Sequence, residues 1–305
     1  MNNNLKPEIK SFLDKVVNTN KVVEALSGIS NVHQMSGVQG CGMLLLGNPG
    51  VGKSTILKKY YKDNIKIVED ERLTTINIIK ISIPAKPTIK SVIISLLEKV
   101  NHPVLTGTES QLTLRLNKVI KNQKIELLIF DEFQHLLREQ AHISTHNVLN
   151  FIKTLMDENK IAIVMAGITS AKKIFSNYDE LYQRFSYEIV HLYAYSLNSA
   201  YNIQNFRKYL NALHAILAEG GIKIIPIKSD EILQRIFLAT DGIPRYIARL
   251  YYRILLTSDL NNTITIDDFK KAYLKLNSNN DNSLFNPFSV SSKEKLIKMS
   301  GWNNA

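Results

Sequence analysis

Gly47-Asn-Pro-Gly-Val-Gly-Lys-Ser-Thr55 constrains this chain more than any other stretch. It fits the spacing G-x-x-x-x-G-K-[ST], follows the apolar run Met43–Leu46 and opens a helical pattern over residues 53–62. Gly47, Asn48, Pro49, Gly50, Val51 and Gly52 make a loop whose backbone N–H groups can curl around phosphate oxygens, a path that bulky residues would obstruct. Lys53 sets a positive charge against the β- and γ-phosphates, Ser54 offers a hydroxyl to Mg²⁺, and Thr55 continues into the helix. The positive end of that helix points at the same anion. A strand, this loop and a helix in succession predict a nucleotide phosphate site.

The surrounding pattern predicts the architecture. Short apolar runs at Met43–Leu46, Ile76–Ile83, Leu127–Phe130, Ile161–Ala166 and Tyr187–Leu192 alternate with helical segments near 53–62, 88–100, 109–122, 144–158 and 170–176. Nearly continuous apolar strands suit a parallel sheet covered by helices on both faces, hence an α/β fold. Before it, residues 1–40 read as one helix from Pro7 to about Leu26 and a polar connector through Gly40. After it, Ser199–Ala218, Asp230–Thr240, Pro244–Leu256 and Asp267–Leu276 read as helices of a small all-α lid domain. The expected division is therefore 1–40, an α/β core over 41–197, a helical lid over 198–277 and a flexible tail over 278–305. In that tail Leu284, Phe285, Pro287, Phe288 and Trp302 punctuate a polar stretch, beside a short basic amphipathic piece, Lys293–Met299. Such residues serve either as a docking peptide or as a frayed end packed on the lid.

Leu127-Leu-Ile-Phe-Asp131-Glu132 supplies the second half of the site. Asp131, ending a strand, can hold Mg²⁺ through water, and Glu132 can polarise an attacking water. Glu directly after Asp favours the hydrolytic AAA+ and related ATPases over small GTPases, so ATP and Mg²⁺ are the expected cofactors. Two arginines follow. Arg184, just before the last strand run, occupies the region that faces a neighbour's nucleotide in a ring or filament, and Arg245, in Gly242-Ile-Pro-Arg245, begins a lid helix that can close over phosphates. For each, a surface or interdomain ion pair is the plain alternative.

Composition excludes several other classes. A lone cysteine, Cys41, rules out an intrachain disulfide and a cysteine-cluster zinc site, and reads as a small buried residue. His142 and His146 are spaced i,i+4 without an acidic partner completing a zinc-protease motif. No apolar run approaches the roughly 18 residues of a membrane-spanning helix, and the start Met1-Asn-Asn-Asn-Leu-Lys has no apolar signal region. A soluble, cytoplasmic protein without membrane contact is expected. The net charge of +11 favours an anionic partner, although the excess is spread thinly and ends in no basic tail.

From about residue 20 to 277 the chain resembles the TniB/TnsC family of AAA+ ATPases that regulate DNA transposition. The likeness rests on the Gly47–Thr55 loop, on Ile83-Pro-Ala-Lys-Pro-Thr-Ile-Lys90, and above all on Leu127-Leu-Ile-Phe-Asp-Glu-Phe-Gln-His-Leu-Leu137. It continues through His146–Asn159 into Ile161-Ala-Ile-Val-Met-Ala-Gly167 and ends at Leu181-Tyr-Gln-Arg-Phe185. The resemblance implies ATP-dependent homo-oligomers, rings or helical filaments, on duplex DNA with little base preference, and partnership with a transposase and a target-selection protein. It assigns Lys53, Ser54, Asp131 and Glu132 to ATP and Mg²⁺, and makes Arg184 the arginine finger. By analogy it nominates Lys90, Thr108, Lys118 and Lys121 for DNA contact; a solvated lysine face is the plain alternative. One departure stands out: the family's Gly-Thr after the fourth strand is here Gly167-Ile168-Thr169, which shifts the sensor threonine to Thr169 or removes it. Other readings are a replication initiator, a helicase loader or a signalling NTPase switch.

Overall fold

The computed structural model describes residues 9, 12, 15–69, 74–137, 142–227, 229–276, 285–290 and 296, with the side chains of 69, 74, 142–144 and 176–177 left aside. The chain forms two compact units: Asn20–Leu192, and Met1–Thr19 together with Tyr193–Ala305.

The first unit opens with helix α1 (Asn20–Gln34) and strand β1 (Gly42–Gly47), followed by α2 (Lys53–Asn64). A hairpin of β2 (Ile67–Glu69) and β3 (Thr74–Ile76) leads to β4 (Ile78–Ser82). Then come α3 (Ile89–Lys99), α4 (Glu109–Gln123), β5 (Leu127–Asp131), α5 (His142–Asn159), β6 (Ala162–Gly167), α6 (Asp179–Phe185) and β7 (Glu188–Leu192). Strands β4-β5-β6-β1-β7 pair in that order, every neighbour parallel. All six residues of β1 are buried. Its side chains alternate: Leu44 and Leu46 pack in one core with α3, α4 and α5, while Met43 and Leu45 pack in another with α1 and α2. Two covered faces explain why the strands read as unbroken apolar runs.

Local chemistry starts the helices where the pattern indicates. Thr88 accepts from Ser91 N and Thr108 from Gln111 N, each completing a capping box with the return bond to the cap's own N–H.

The N-terminal forty residues differ from expectation. Residues 15–19 are not helical, and α1 begins only at Asn20 and runs on to Gln34. Its buried stripe is Ala25, Ile29 and Val32, with Gly28 so close to β1 that an added Cβ would meet Met43 Cε at 3.1 Å. Ile9 and Phe12 instead join the core of the second unit, where Phe12 stacks on Tyr251. One amphipathic-looking stretch thus serves two cores.

The second unit contains α7 (Ala200–Glu219), α8 (Asp230–Thr240), α9 (Pro244–Thr257) and α10 (Ile266–Leu276). Ser199 and Ser229 cap the first two, and Pro244 sits at the first position of α9. The tail enters this core. Phe288 is buried against Phe269 and Tyr273, and the Arg235 guanidinium donates to Pro287 O and Val290 O at 2.6 Å each. For residues 285–290 the expectation of a flexible tail is corrected: two carbonyl contacts to Arg235 and a buried ring anchor them. Leu284, Lys293–Lys295, Ile297–Met299 and Trp302 lie outside the described residues, as do Pro7 and residues 277–283.

Candidate active site

Because the sheet is parallel, the ends of β1, β6 and β5 share one edge, and the strand order puts them side by side. Gly47 ends β1, Gly167 ends β6 and Asp131 ends β5, so the phosphate loop and the acid pair are two strand spacings apart, roughly 10 Å. Gly50 and Gly52 adopt the left-handed conformation, φ 88° and 106°. Gly47 faces β7 so closely that a Cβ would lie 2.5 Å from Leu192 O. Lys53, buried, donates from Nζ to Gly47 O at 2.7 Å and Asn48 O at 3.2 Å. Ser54 and Thr55 are exposed on the first turn of α2.

Asp131 is 3% exposed, and its Oδ1 accepts from Glu132 N at 3.0 Å. Glu132 turns the chain in the left-handed region, φ 58°, into a 3-10 turn at Phe133–Leu136. The Gln134 amide donates to Glu132 Oε2, and its own Oε1 accepts from Ile168 N at 3.3 Å. Gly167 allows this approach, since a Cβ there would lie 2.6 Å from the Phe133 ring and 2.7 Å from Gln134 Oε1. Thr169 is exposed at the head of the following 3-10 segment, Thr169–Asn177. At the same edge His191 pairs in register with Leu46; burial, then Lys172 and Lys21, lower its pKa.

Arg184 lies elsewhere. It closes α6 before β7, and its Nε and Nη2 donate to Asp157 Oδ1 and Oδ2 at 2.8 Å each. A shallow cleft there is lined by Gln39, Gly40, Cys41, Asp157, Arg184 and Tyr187. These residues precede β1, β6 and β7, so they mark the N-terminal edge of the sheet. β1 runs from Gly42 at that edge to Gly47 at the other, roughly 16 Å. Arg184 is therefore remote from the phosphate loop of its own chain. Cys41 is buried, with a thiol pushed up to about 11 by desolvation, as a small core residue should be.

This geometry has relatives. The family model "Bacterial TniB protein" matches residues 12–195. The chain belongs to the TniB family. No curated protein matches it in sequence. Among solved structures, the ORC1 protein of Aeropyrum pernix in complex with DNA is similar at 14% identity and a TM-score of 0.62, over 89% of this chain and 71% of that one. Cdc6p from Pyrobaculum aerophilum gives 19% identity and 0.59 over 86% and 69%; ORC2 of Aeropyrum pernix in ADPNP and ADP complexes gives 13% and 0.58 over 87% and 71%. These likenesses establish the fold of this TniB-family chain as that of AAA+ ATPases.

The remaining nominated residues are dispersed. Arg245 is exposed at the second position of α9, beyond a turn where Gly242 O accepts from Tyr195 N at 2.9 Å. Lys90 is exposed on the first turn of α3. Thr108 commits its hydroxyl to the cap of α4, while Lys118 and Lys121 are exposed roughly 15 and 20 Å farther along that helix. The side chain of His142 lies outside the described residues, and among the described residues no group of His, Cys, Asp and Glu side chains could hold a metal ion. Also among the described residues, no helix is long and apolar enough to cross a membrane. Sequence reasoning missed Gln134 and Asp157. Gln134 follows the acid pair at a spacing that could have signalled it, whereas nothing local marks Asp157.

Proposed function

We propose that this TniB-family protein is an ATP-hydrolysing regulator of DNA transposition that assembles head to tail on duplex DNA and links a target-selection protein to the transposase. The observation that carries the reading is the separation of its parts. The phosphate loop and acid pair share the C-terminal edge of the sheet, and Arg184 sits at the other edge. An arginine so placed serves a nucleotide only across an interface, and a heterologous contact of that kind propagates into rings or helical filaments.

The donor set suits the ligands. The left-handed glycines turn backbone N–H groups toward an anion, Lys53 is held beside the loop, and an exposed hydroxyl at Ser54 and a buried carboxylate at Asp131 suit Mg²⁺ with water completing its shell. Bound Mg²⁺ would neutralise charge on the phosphates. Glu132 takes the proton of the attacking water, and Lys53 steadies the phosphate oxygens. We assign Arg245 to the lid role and Thr169 to the sensor; Arg245→Ala tests the former through ATP affinity. Net charge of +11 and the exposed Lys90, Lys118 and Lys121 support binding to the DNA backbone, with Thr108 at the head of α4.

Electron microscopy of the protein with a non-hydrolysable ATP analogue, with and without duplex DNA, is the test. Rings or filaments that require nucleotide support the reading. Monomers under all conditions overturn it. Full ATP turnover by Glu132→Gln would remove Glu132 from its role.

A further inference from the structure

The side chain that holds Glu132 comes from its own turn. Glu132 is half-buried and leaves β5 in a left-handed conformation. Gln134 fills that role from two sides at once. Its amide N–H donates to Glu132 Oε2, and its amide oxygen accepts from Ile168 N, the first residue past β6. The turn carrying it is itself fixed. Phe133 is fully buried and packs near Phe175, His135 Nδ1 lies 2.8 Å from Ile83 O, and the Thr145 hydroxyl donates to Leu136 O at 2.6 Å. Gly167 leaves room for the Gln134 oxygen that a Cβ would occupy.

We infer that Gln134 is a positioning residue for hydrolysis, locking the Glu132 carboxylate to the end of β6 so that its other oxygen is aimed at the attacking water. The inference rests on the ATPase reading of Glu132. In this chain the polar link between the end of β6 and the acid pair is thus made by a glutamine from the β5 side, at the place where Gly-Thr has become Gly167-Ile168-Thr169. An amide suits this double role, because it offers a donor to a carboxylate and an acceptor to a backbone N–H from one rigid plane. A carboxylate held by such a bond keeps one rotamer and need not be reoriented at each turnover.

Gln134→Met keeps the length of the side chain and removes both hydrogen bonds; Gln134→Ala removes the bulk as well. With the full-length protein, both should lower kcat about ten- to a hundredfold while KM for ATP stays within twofold, because a bond to a charged group is lost but no phosphate contact is. In the Glu132→Gln background, Gln134→Met should add little further loss to single-turnover hydrolysis, since its effect passes through Glu132. A readout without nucleotide comes from selective ¹⁵N-glutamine labelling: the Gln134 side-chain amide resonance, identified by its disappearance in Gln134→Met, should shift in Glu132→Ala. Turnover by Gln134→Met equal to or above wild type, an additive loss in the double variant, or an unmoved resonance would each overturn the inference. Absent turnover in the wild type, or full turnover in Glu132→Gln, would instead count against the ATPase reading on which it rests.

Discussion

Arg184 and Asp157 form a two-pronged ion pair at the N-terminal edge of the sheet, each nitrogen–oxygen distance 2.8 Å. Both side chains are about one-third exposed, 32% and 39%, so water screens the pair. Such pairs contribute about 1 kcal/mol or less. An arginine meeting the charge of a transferring phosphoryl group contributes a rate factor of about 10³ or more. The pair therefore parks Arg184 without confining it. Arg184→Ala should shift the melting temperature little and depress ATP turnover strongly. Mixed with Lys53→Ala, it should regain activity, because an intact finger on one subunit can meet an intact phosphate loop on the other. Turnover measured across mixing ratios checks this, and a flat line at the Arg184→Ala level contradicts it.

Gly167 leaves no room for a methyl group between β6 and the Phe133-Gln134 turn. Backbone and ring cannot both yield, so Gly167→Ala should displace the turn and lower kcat by at least about tenfold, the loss expected when a catalytic carboxylate is misplaced. Nucleotide binding, measured by isothermal titration, should be retained.

Anchoring of the tail has an energetic consequence for the helical unit. Phe288→Ala removes a buried ring beside Phe269 and Tyr273 and should cost about 3 kcal/mol of that unit's stability. Deleting 279–305 should cost more, because it also strips Arg235, 6% exposed, of its two carbonyl acceptors. Denaturant unfolding of the variants reports both, and unchanged midpoints would show the tail to be dispensable.

His214 makes the same unit sensitive to acid. Its Nε2 lies 2.7 Å from the buried Tyr251 hydroxyl, and burial lowers its pKa to about 4 from the ordinary 6.5. The folded state thus binds the proton less readily than the unfolded state. Stability from this group is complete above pH 6.5 and is lost as pH falls toward 4, a loss of about 2 kcal/mol by pH 5. His214→Gln should lose less stability than wild type between pH 7 and pH 5. Parallel acid dependence of the two would refute it.

Duplex affinity should fall steeply with salt and vary little with sequence, since lysines read phosphates as point charges. Removing Lys118 and Lys121 together should reduce the log-log salt slope by about 2. Fluorescence anisotropy over a salt series, with and without an ATP analogue, measures both the slope and the gain in affinity expected from oligomerisation.

Much of the site was legible in contiguous residues. The phosphate loop, the strand before it and the helix after it follow from glycine conformations and apolar periodicity that act over a few neighbours. The acid pair ending an unbroken apolar run and the helices α7–α10 after Tyr193 are local patterns of the same kind. By itself the sequence therefore determined the alternation of buried strands and helices in the parallel sheet, and which residues are candidates to hold a nucleotide, but neither the β2–β3 hairpin nor the course of the N-terminal helix. Tertiary structure decided what meets what. Gln134 reaches Ile168 across 34 positions, and Arg184 reaches Asp157 across 27, because β6 lies between β5 and β1 and the five strands of that sheet run parallel. The split of the N-terminal stretch between two cores and the burial of Phe288 have the same origin. Each depends on which apolar surface remains uncovered after the sheet has paired, and that surface is assembled from segments no sequence window contains.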